Sequence, residues 1–280
     1  MNEQAHTNLD VSSIQRGCIH DGDGVRTTVF INGCHLHCPW CCNPETSHIV
    51  AYFVDSDKCE EFRSSSLCTD CFNHGGGRPL HECPFGAVKP TSSRLDIAQL
   101  FETLLKDKNL YDESEGGVTF SGGEPMLQID ALTPLLSKLT EAGINIAIET
   151  TLYVPAQSVE LSAPYIDEYI IDLKLQPSMF LDEEKYLSII SSNLELIQSK
   201  RKRFRIVFFN GVESRTADII TALKQLNIKD IEILKCHNLA ENKYKKLGLD
   251  FAPHEVTDSN IECFAKALSD AGINSITMNA

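Results

Sequence analysis

The sequence is short of positive charge: 25 lysines and arginines stand against 39 aspartates and glutamates, a formal charge of −14. A nucleic-acid partner calls for a basic patch that neutralises phosphates, and none is expected here. The one dense basic run, Lys200 to Arg203, reads as the solvated end of a helix, where cations favour the dipole. No apolar run approaches the roughly 20 residues of a membrane span. The opening MNEQAHTNLD has neither the basic nor the apolar region of an export signal, so the expected setting is cytoplasmic, with no membrane partner. Internal repeats and low-complexity tracts are also missing. With 42% hydrophobic residues in 280, the chain can bury a sizeable core, as one large domain or two small ones.

Cysteine is plentiful. There are eleven, eight of them between Cys34 and Cys83, and in a reducing compartment they point to metal or redox chemistry rather than to disulfides. Cys34, Cys38 and Cys41 form a C-x3-C-x2-C array inside Gly33 to Glu45, GCHLHCPWCCNPE. Thiolates select iron–sulfur clusters or zinc, and three are one short of a closed site, so a four-iron cluster held by them keeps one iron open. Cys42 adds a neighbouring thiol that could compete as a ligand. Cys18, Cys236 and Cys263 read as packing residues. A second group, Cys59, Cys68, Cys71 and Cys83, falls in a Gly-, Ser- and Pro-bearing stretch with little apolar periodicity, where a metal would replace the missing core. One [4Fe–4S] cluster, one zinc, or no metal are the readings open for these four.

The rest of the chain alternates between two periods. Residues 1–10 are expected to be disordered, and residues 14–25 to lead into a first strand, Thr27 to Ile31. Three-and-four spacing predicts helices around Ile97 to Leu105, Leu132 to Leu139, Leu187 to Ile197, Ile219 to Leu226 and Ile261 to Leu268. Short β-rich runs fall between them: Gly117 to Phe120, Ile144 to Glu149, Tyr169 to Leu173, Phe204 to Phe209, Ile231 to Leu234 and Ser275 to Met278. This alternation predicts an α/β fold with a parallel sheet and helical crossovers. Alternate strand residues share a face, so Glu149, Asp172, Lys174, Arg205 and His237 oppose apolar positions near C-terminal strand ends, the edge where such folds place their sites. A lumen filled by a ligand would account for those charges.

The turn Ser121-Gly122-Gly123-Glu124-Pro125 follows a predicted strand and precedes a helix. Its glycines would let the backbone approach a ligand, and its carboxylate could accept hydrogen bonds from an ammonium. Together with the cysteine loop, Asp21 to Gly24 (DGDG), Arg26 to Phe30 (RTTVF) and Asn43-Pro44-Glu45, it resembles the radical S-adenosylmethionine (SAM) superfamily. Within that superfamily, from about Val11 to Met278, the chain is similar to the activating enzymes of glycyl radical enzymes.

The resemblance implies a partial (β/α)6 TIM-like barrel. Residues 1–50 would carry its first strand and cluster loop, 51–90 a small cysteine-rich ferredoxin-like insert, and 91–280 the remainder. It implies a [4Fe–4S] cluster on Cys34, Cys38 and Cys41 that chelates SAM, with Gly122, Gly123 and Glu124 at the amino group of SAM and Trp40 near adenine, unless Trp40 only packs. Asp172 and Lys174 match a DLK motif beside the carboxylate. Asp172 would share a monovalent cation with Glu149 and Thr150. Arg205 and His237 align with basic SAM contacts. The implied activity is reductive cleavage of SAM to a 5′-deoxyadenosyl radical and abstraction of a hydrogen from a glycine of a partner glycyl radical enzyme, with flavodoxin or ferredoxin as electron donor. Modification of a peptide or small molecule is the alternative, and an iron–sulfur electron carrier or sensor is the reading from a different class. Three positions depart from the family pattern: Asp23 stands for the usual proline, Cys42 for a common histidine, and Glu149 for an aspartate. The insert departs too, with four cysteines at x8, x2 and x11 spacing where eight are common.

Overall fold

The structure, a computed structural model, describes residues 8–47, 52–61, 83–175, 182–209 and 211–278. The strands are β1 (Asn8–Cys18), β2 (Arg26–Ile31), β3 (Tyr52–Val54), β4 (Val88–Pro90), β5 (Ser93–Asp96), β6 (Gly117–Gly122), β7 (Asn145–Thr150), β8 (Glu168–Asp172), β9 (Arg201–Phe208), β10 (Asp230–Lys235) and β11 (Asn274–Met278). Nine of them form one sheet in the order β11-β10-β9-β8-β7-β6-β2-β1-β5. β2 and β6 to β11 run parallel, and β1 and β5 add an antiparallel edge. Parallel neighbours need crossovers, and helices supply them. These are α2 (Ile97–Leu105) and α3 (Lys108–Ser114) before β6, α4 (Ile129–Glu141), α5 (Ala156–Ser162), α6 (Glu183–Leu196), α7 (Thr216–Gln225), then α8 (Glu241–Leu247) and α9 (Asp258–Asp270) before β11. A short helix α1 (Ser56–Glu61) follows β3.

The stripes read from the sequence are the faces these helices bury. Leu132, Leu135, Leu136 and Leu139 of α4 are wholly enclosed, as is Leu268 of α9. Side-chain caps open three helices: Asp96 accepts from Ala98 and Gln99, Asp182 from Lys185, and Thr257 from Asn260. No described helix is long and apolar enough to cross a membrane.

Three expectations change. Residues 8–10 belong to β1, which extends into the first part of the expected lead-in, to Cys18, while residues 1–7 lie outside the described residues. In the run Lys200 to Arg203, Arg201 to Arg203 open β9, with Lys200 just before it, rather than ending a helix. Lys202 alone keeps the expected role, donating to the carbonyls of Ile197 and Gln198 just past α6. Most of the charged sheet face, too, pairs with itself. Arg203 bridges Asp23, Glu168 and Glu232, and Arg205 bridges Glu232 and Glu149. Arg26, 1% exposed, donates to Thr119, the Val118 carbonyl and Asn145. Burial draws its guanidinium pKa down, against nearby carboxylates. Mutual pairing is therefore how these charges tolerate the interior.

The 51–90 segment has its own two-stranded sheet, with β3 and β4 antiparallel from Tyr52↔Pro90 to Val54↔Val88. Cys59 is buried on α1. Cys83 sits at a turn where the backbone N–H groups of Phe85, Ala87, Val88 and Gly86 overcome burial and lower its pKa. Cys68 and Cys71 lie outside the described residues.

Candidate functional site

β2 ends at Ile31, and the chain crosses over the C-terminal edge of the sheet as the cysteine loop. The Gly-Gly turn after β6 is its seat. Gly123 donates to the Ile31 carbonyl at 2.9 Å and Glu124 to the Gly33 carbonyl at 2.8 Å. A Cβ on Gly123 would lie 2.1 Å from the Gly33 oxygen. Gly122, at φ +104°, would set one 2.7 Å from the Ile31 backbone. The close approach these glycines permit is thus to the cysteine loop, where a ligand was expected.

Loop and strand ends enclose a cavity of about 210 Å³. Cys34, Cys38 and Cys41 line it together with Trp40, Gly122, Gly123, Glu149, Thr150, Asp172 and Lys174. The structure thus brings ten of the residues singled out in the sequence to one place. Cys42, Asn43 and Ser121, all within the quoted motifs, line it too, and Leu36, Thr46, Ser47, Thr151, Val207 and Leu234 complete the wall without having been anticipated as site residues.

Burial pushes the Cys34 thiol up, Cys38 up to about 11 and Cys41 up to about 12. Iron ligation would have to displace these protons. Backbone N–H groups of Leu36 and Asn43 favour the thiolates of Cys34 and Cys41 in the opposite direction. Among the described residues, no three Cys, His, Asp or Glu side chains converge as a ready metal site; the three thiols share a wall of the cavity. Cys42 lines the cavity as well, with its sulfur 3.8 Å from His237 Nε2 and 3.8 Å from the Trp40 carbonyl.

Opposite the thiols, the Lys174 ammonium contacts Asp172 and lies 5.5 Å over the Trp40 ring. Burial opposes its charge, but Asp172 and the thiols Cys38 and Cys41 overcome that and hold its pKa above the ordinary lysine value. Two buried polar atoms have no partner here, Asp172 Oδ1 and Trp40 Nε1. Trp40 stacks on Phe209 at 4.1 Å. Glu149 takes a hydrogen bond from Ser121 and faces Arg205 at 3.3 Å. Burial raises its pKa, while Arg205 lowers it. The donor set fits a three-thiolate cluster with a ligand bearing a carboxylate and an amine: a lysine cation, an unsatisfied carboxylate oxygen and three thiols meet in one enclosure.

Three of the anticipated residues stand behind the wall. Glu124 is fully buried, and its carboxylate accepts from Thr150 Oγ1 at 2.7 Å, Thr151 N at 2.9 Å, Thr151 Oγ1 at 2.7 Å and Met126 N at 3.3 Å. It holds the end of β7 against the Gly-Gly turn and has no side-chain oxygen turned to the cavity. Arg205 spends its guanidinium on Glu232, Glu149 and the His20 carbonyl. His237 meets Cys42 through Nε2 and accepts the Leu239 N–H through Nδ1.

A family model described as a 4Fe-4S single cluster domain matches residues 20–170. The chain is 30% identical to the (2S)-3-sulfopropanediol dehydratase activating enzyme of Klebsiella oxytoca, covering 95% of this chain and 96% of that one. It is 29% identical to the 4-hydroxyphenylacetate decarboxylase activating enzyme of Clostridioides difficile (strain 630), over 98% and 97%. It is 32% identical to the pyruvate formate-lyase 2-activating enzyme of Escherichia coli (strain K12), over 88% and 83%.

Proposed function

The chain belongs to the radical SAM family of activating enzymes of glycyl radical enzymes, and from this we propose that it generates a radical on a glycine of a partner protein. When bound, the cluster and SAM supply the 5′-deoxyadenosyl radical that takes the glycine α-hydrogen. One observation carries the reading to this chain's own residues: Cys34, Cys38 and Cys41 share a cavity with Lys174 and the unpartnered Asp172 Oδ1. In this reading the three thiols hold the cluster. Lys174 offsets the carboxylate of SAM, and Asp172, with Glu149 and Thr150, turns oxygens toward the amine or a shared cation. Gly122 and Gly123 fix the loop against β6, Trp40 packs beside adenine, and Arg205 and His237 orient Glu149 and Cys42 from behind. Flavodoxin or ferredoxin is the electron donor of this reading, and the reducing cytoplasm its setting.

The finer fold of this proposal is a partial (β/α)6 barrel built from residues 1–50 and 91–280, with 51–90 inserted. Curvature supports it. β2 and β9 are four strand steps apart, about 19 Å on a flat sheet. Yet Arg203 on β9 lies 2.8 Å from Asp23, in the turn before β2, and Phe209 stacks on Trp40 from the loop after it. Asp23, in place of the family's proline, thereby takes both Arg201 and Arg203.

For the insert we propose one [4Fe–4S] cluster on Cys59, Cys68, Cys71 and Cys83, with zinc as the alternative. The N–H groups gathered at Cys83 support a metal-bound thiolate there. Anaerobic reconstitution is expected to yield about eight irons per chain, the sum of two four-iron clusters. About four irons with one tightly bound zinc would replace the second cluster by the zinc site.

The function itself is tested with SAM, a reductant and each glycyl radical protein encoded in the same genome. The expected result is an electron paramagnetic resonance doublet, split by the remaining α-hydrogen. SAM-dependent modification of a peptide or small molecule, with no doublet from any encoded glycyl radical protein, would overturn it.

A further inference from the structure

The second half of the cysteine loop has no regular secondary structure beyond a 3-10 turn, Pro44–Thr46, and is held from α8 near the other end of the chain. Its internal bonds, Cys41 N–H to the Cys38 carbonyl and Thr46 N–H to that of Asn43, leave the carbonyls of Cys41 and Cys42 pointing outward. Lys243 meets one of them. Its ammonium donates to the Cys42 carbonyl at 3.0 Å, Asn43 Oδ1 at 3.0 Å and Glu45 Oε1 at 2.6 Å, which uses all three of its hydrogens. The neighbouring Tyr244 hydroxyl donates to the Cys41 carbonyl at 3.1 Å. Glu45 is itself buried, and its second oxygen has no partner, so loss of the lysine would strand a carboxylate away from water. Thr46 closes the loop by accepting the Gly33 N–H at 2.7 Å, so a bond to Glu45 fixes both ends of the array. α8 also packs against β3, placing one helix in contact with both the cysteine loop and the base of the insert.

We propose that Lys243 and Tyr244 are positioning residues that hold Cys41 and its following turn in the orientation the cluster requires. The proposal rests on the cysteine loop being the cluster site. With a cluster bound, a cation and a hydroxyl donor at the carbonyls of Cys41 and Cys42 would also withdraw electron density and raise its reduction potential.

The test uses the reconstituted full-length protein without SAM or partner, in the variants Lys243→Met, Lys243→Arg, Tyr244→Phe and, as a control on the exposed side of α8, Lys246→Met. Hydrogen exchange of the amides of residues 41–47 is expected to be about tenfold or more faster in Lys243→Met, the effect of losing charged hydrogen bonds. Tyr244→Phe should give a smaller rise, Lys243→Arg should restore most of the protection, and Lys246→Met should leave it unchanged. The reduction potential should fall in Lys243→Met alone among the lysine variants. Unchanged exchange over 41–47 in Lys243→Met, or a rise spread equally over every helix, overturns the clamp. Because no SAM is present, that failure would leave the radical chemistry standing. A protein that keeps this exchange difference but cannot cleave SAM would refute the activity and leave the clamp.

Discussion

Alanine at Cys34, Cys38 and Cys41 together is expected to abolish reductive cleavage of SAM, while Cys42→Ser retains it. The three thiols line one cavity wall, and they are shielded enough that Cys38 and Cys41 are pushed up to about 11 and about 12 as free thiols. Buried thiols of this kind are poor surface nucleophiles but become ligands once iron displaces the proton. Cys42 lines the same cavity but has other contacts, its sulfur lying 3.8 Å from His237 Nε2 and 3.8 Å from the Trp40 carbonyl. Iron content and 5′-deoxyadenosine release after reduction are the readouts. Cluster loss on Cys42→Ser, with Cys41→Ser harmless, would exchange the two roles.

Glu124→Ala is expected to cost stability before it costs anything else, by about 4 kcal/mol, since the buried groups left without an acceptor cost about 1–3 kcal/mol each. Two hydroxyls and two backbone N–H groups converge on this wholly buried carboxylate. Glu124→Gln should recover only part, because an amide offers one acceptor oxygen and turns its NH2 toward donors. Denaturant unfolding of the three proteins measures the difference. Thr150 and Thr151 line the cavity, so SAM affinity should fall in step with stability. An alanine variant as stable as the parent but unable to bind SAM would show that Glu124 meets the ligand directly.

Glu124 marks the limit of what local sequence announces. The turn was legible as a place, since two glycines and a carboxylate between a strand and a helix pattern are seldom idle. What each does there depends on Gly33, Thr150 and Thr151, whose approach no local spacing announces. The same division runs through the chain. Helices such as α4 were readable because Leu132, Leu135, Leu136 and Leu139 repeat with the turn of the helix itself. β1 was not, because NLDVSSIQRGC is a polar strand whose order comes from β2 and β5 beside it. Arg201 and Arg203 resembled a solvated charge run until Asp23, from nearly two hundred residues earlier, came to neutralise them. Lys243 and Tyr244 sit in an ordinary charged helix, and only their contact with the cysteine loop distinguishes them. Thus the thiols proposed as cluster ligands were visible as a spacing, whereas the groups proposed to hold them became visible only through contacts distant in sequence.

The central claim is hydrogen abstraction from a glycine of a partner protein, and isotope transfer tests it most directly. The encoded glycyl radical protein, prepared with α-deuterated glycine, is incubated with the reduced enzyme and SAM, and 5′-deoxyadenosine is weighed by mass spectrometry. The account predicts one deuterium in the 5′-deoxyadenosine and collapse of the resonance doublet, as deuterium replaces the α-hydrogen that splits it. Unlabelled 5′-deoxyadenosine, formed while the partner's glycine keeps both deuterons, would contradict it.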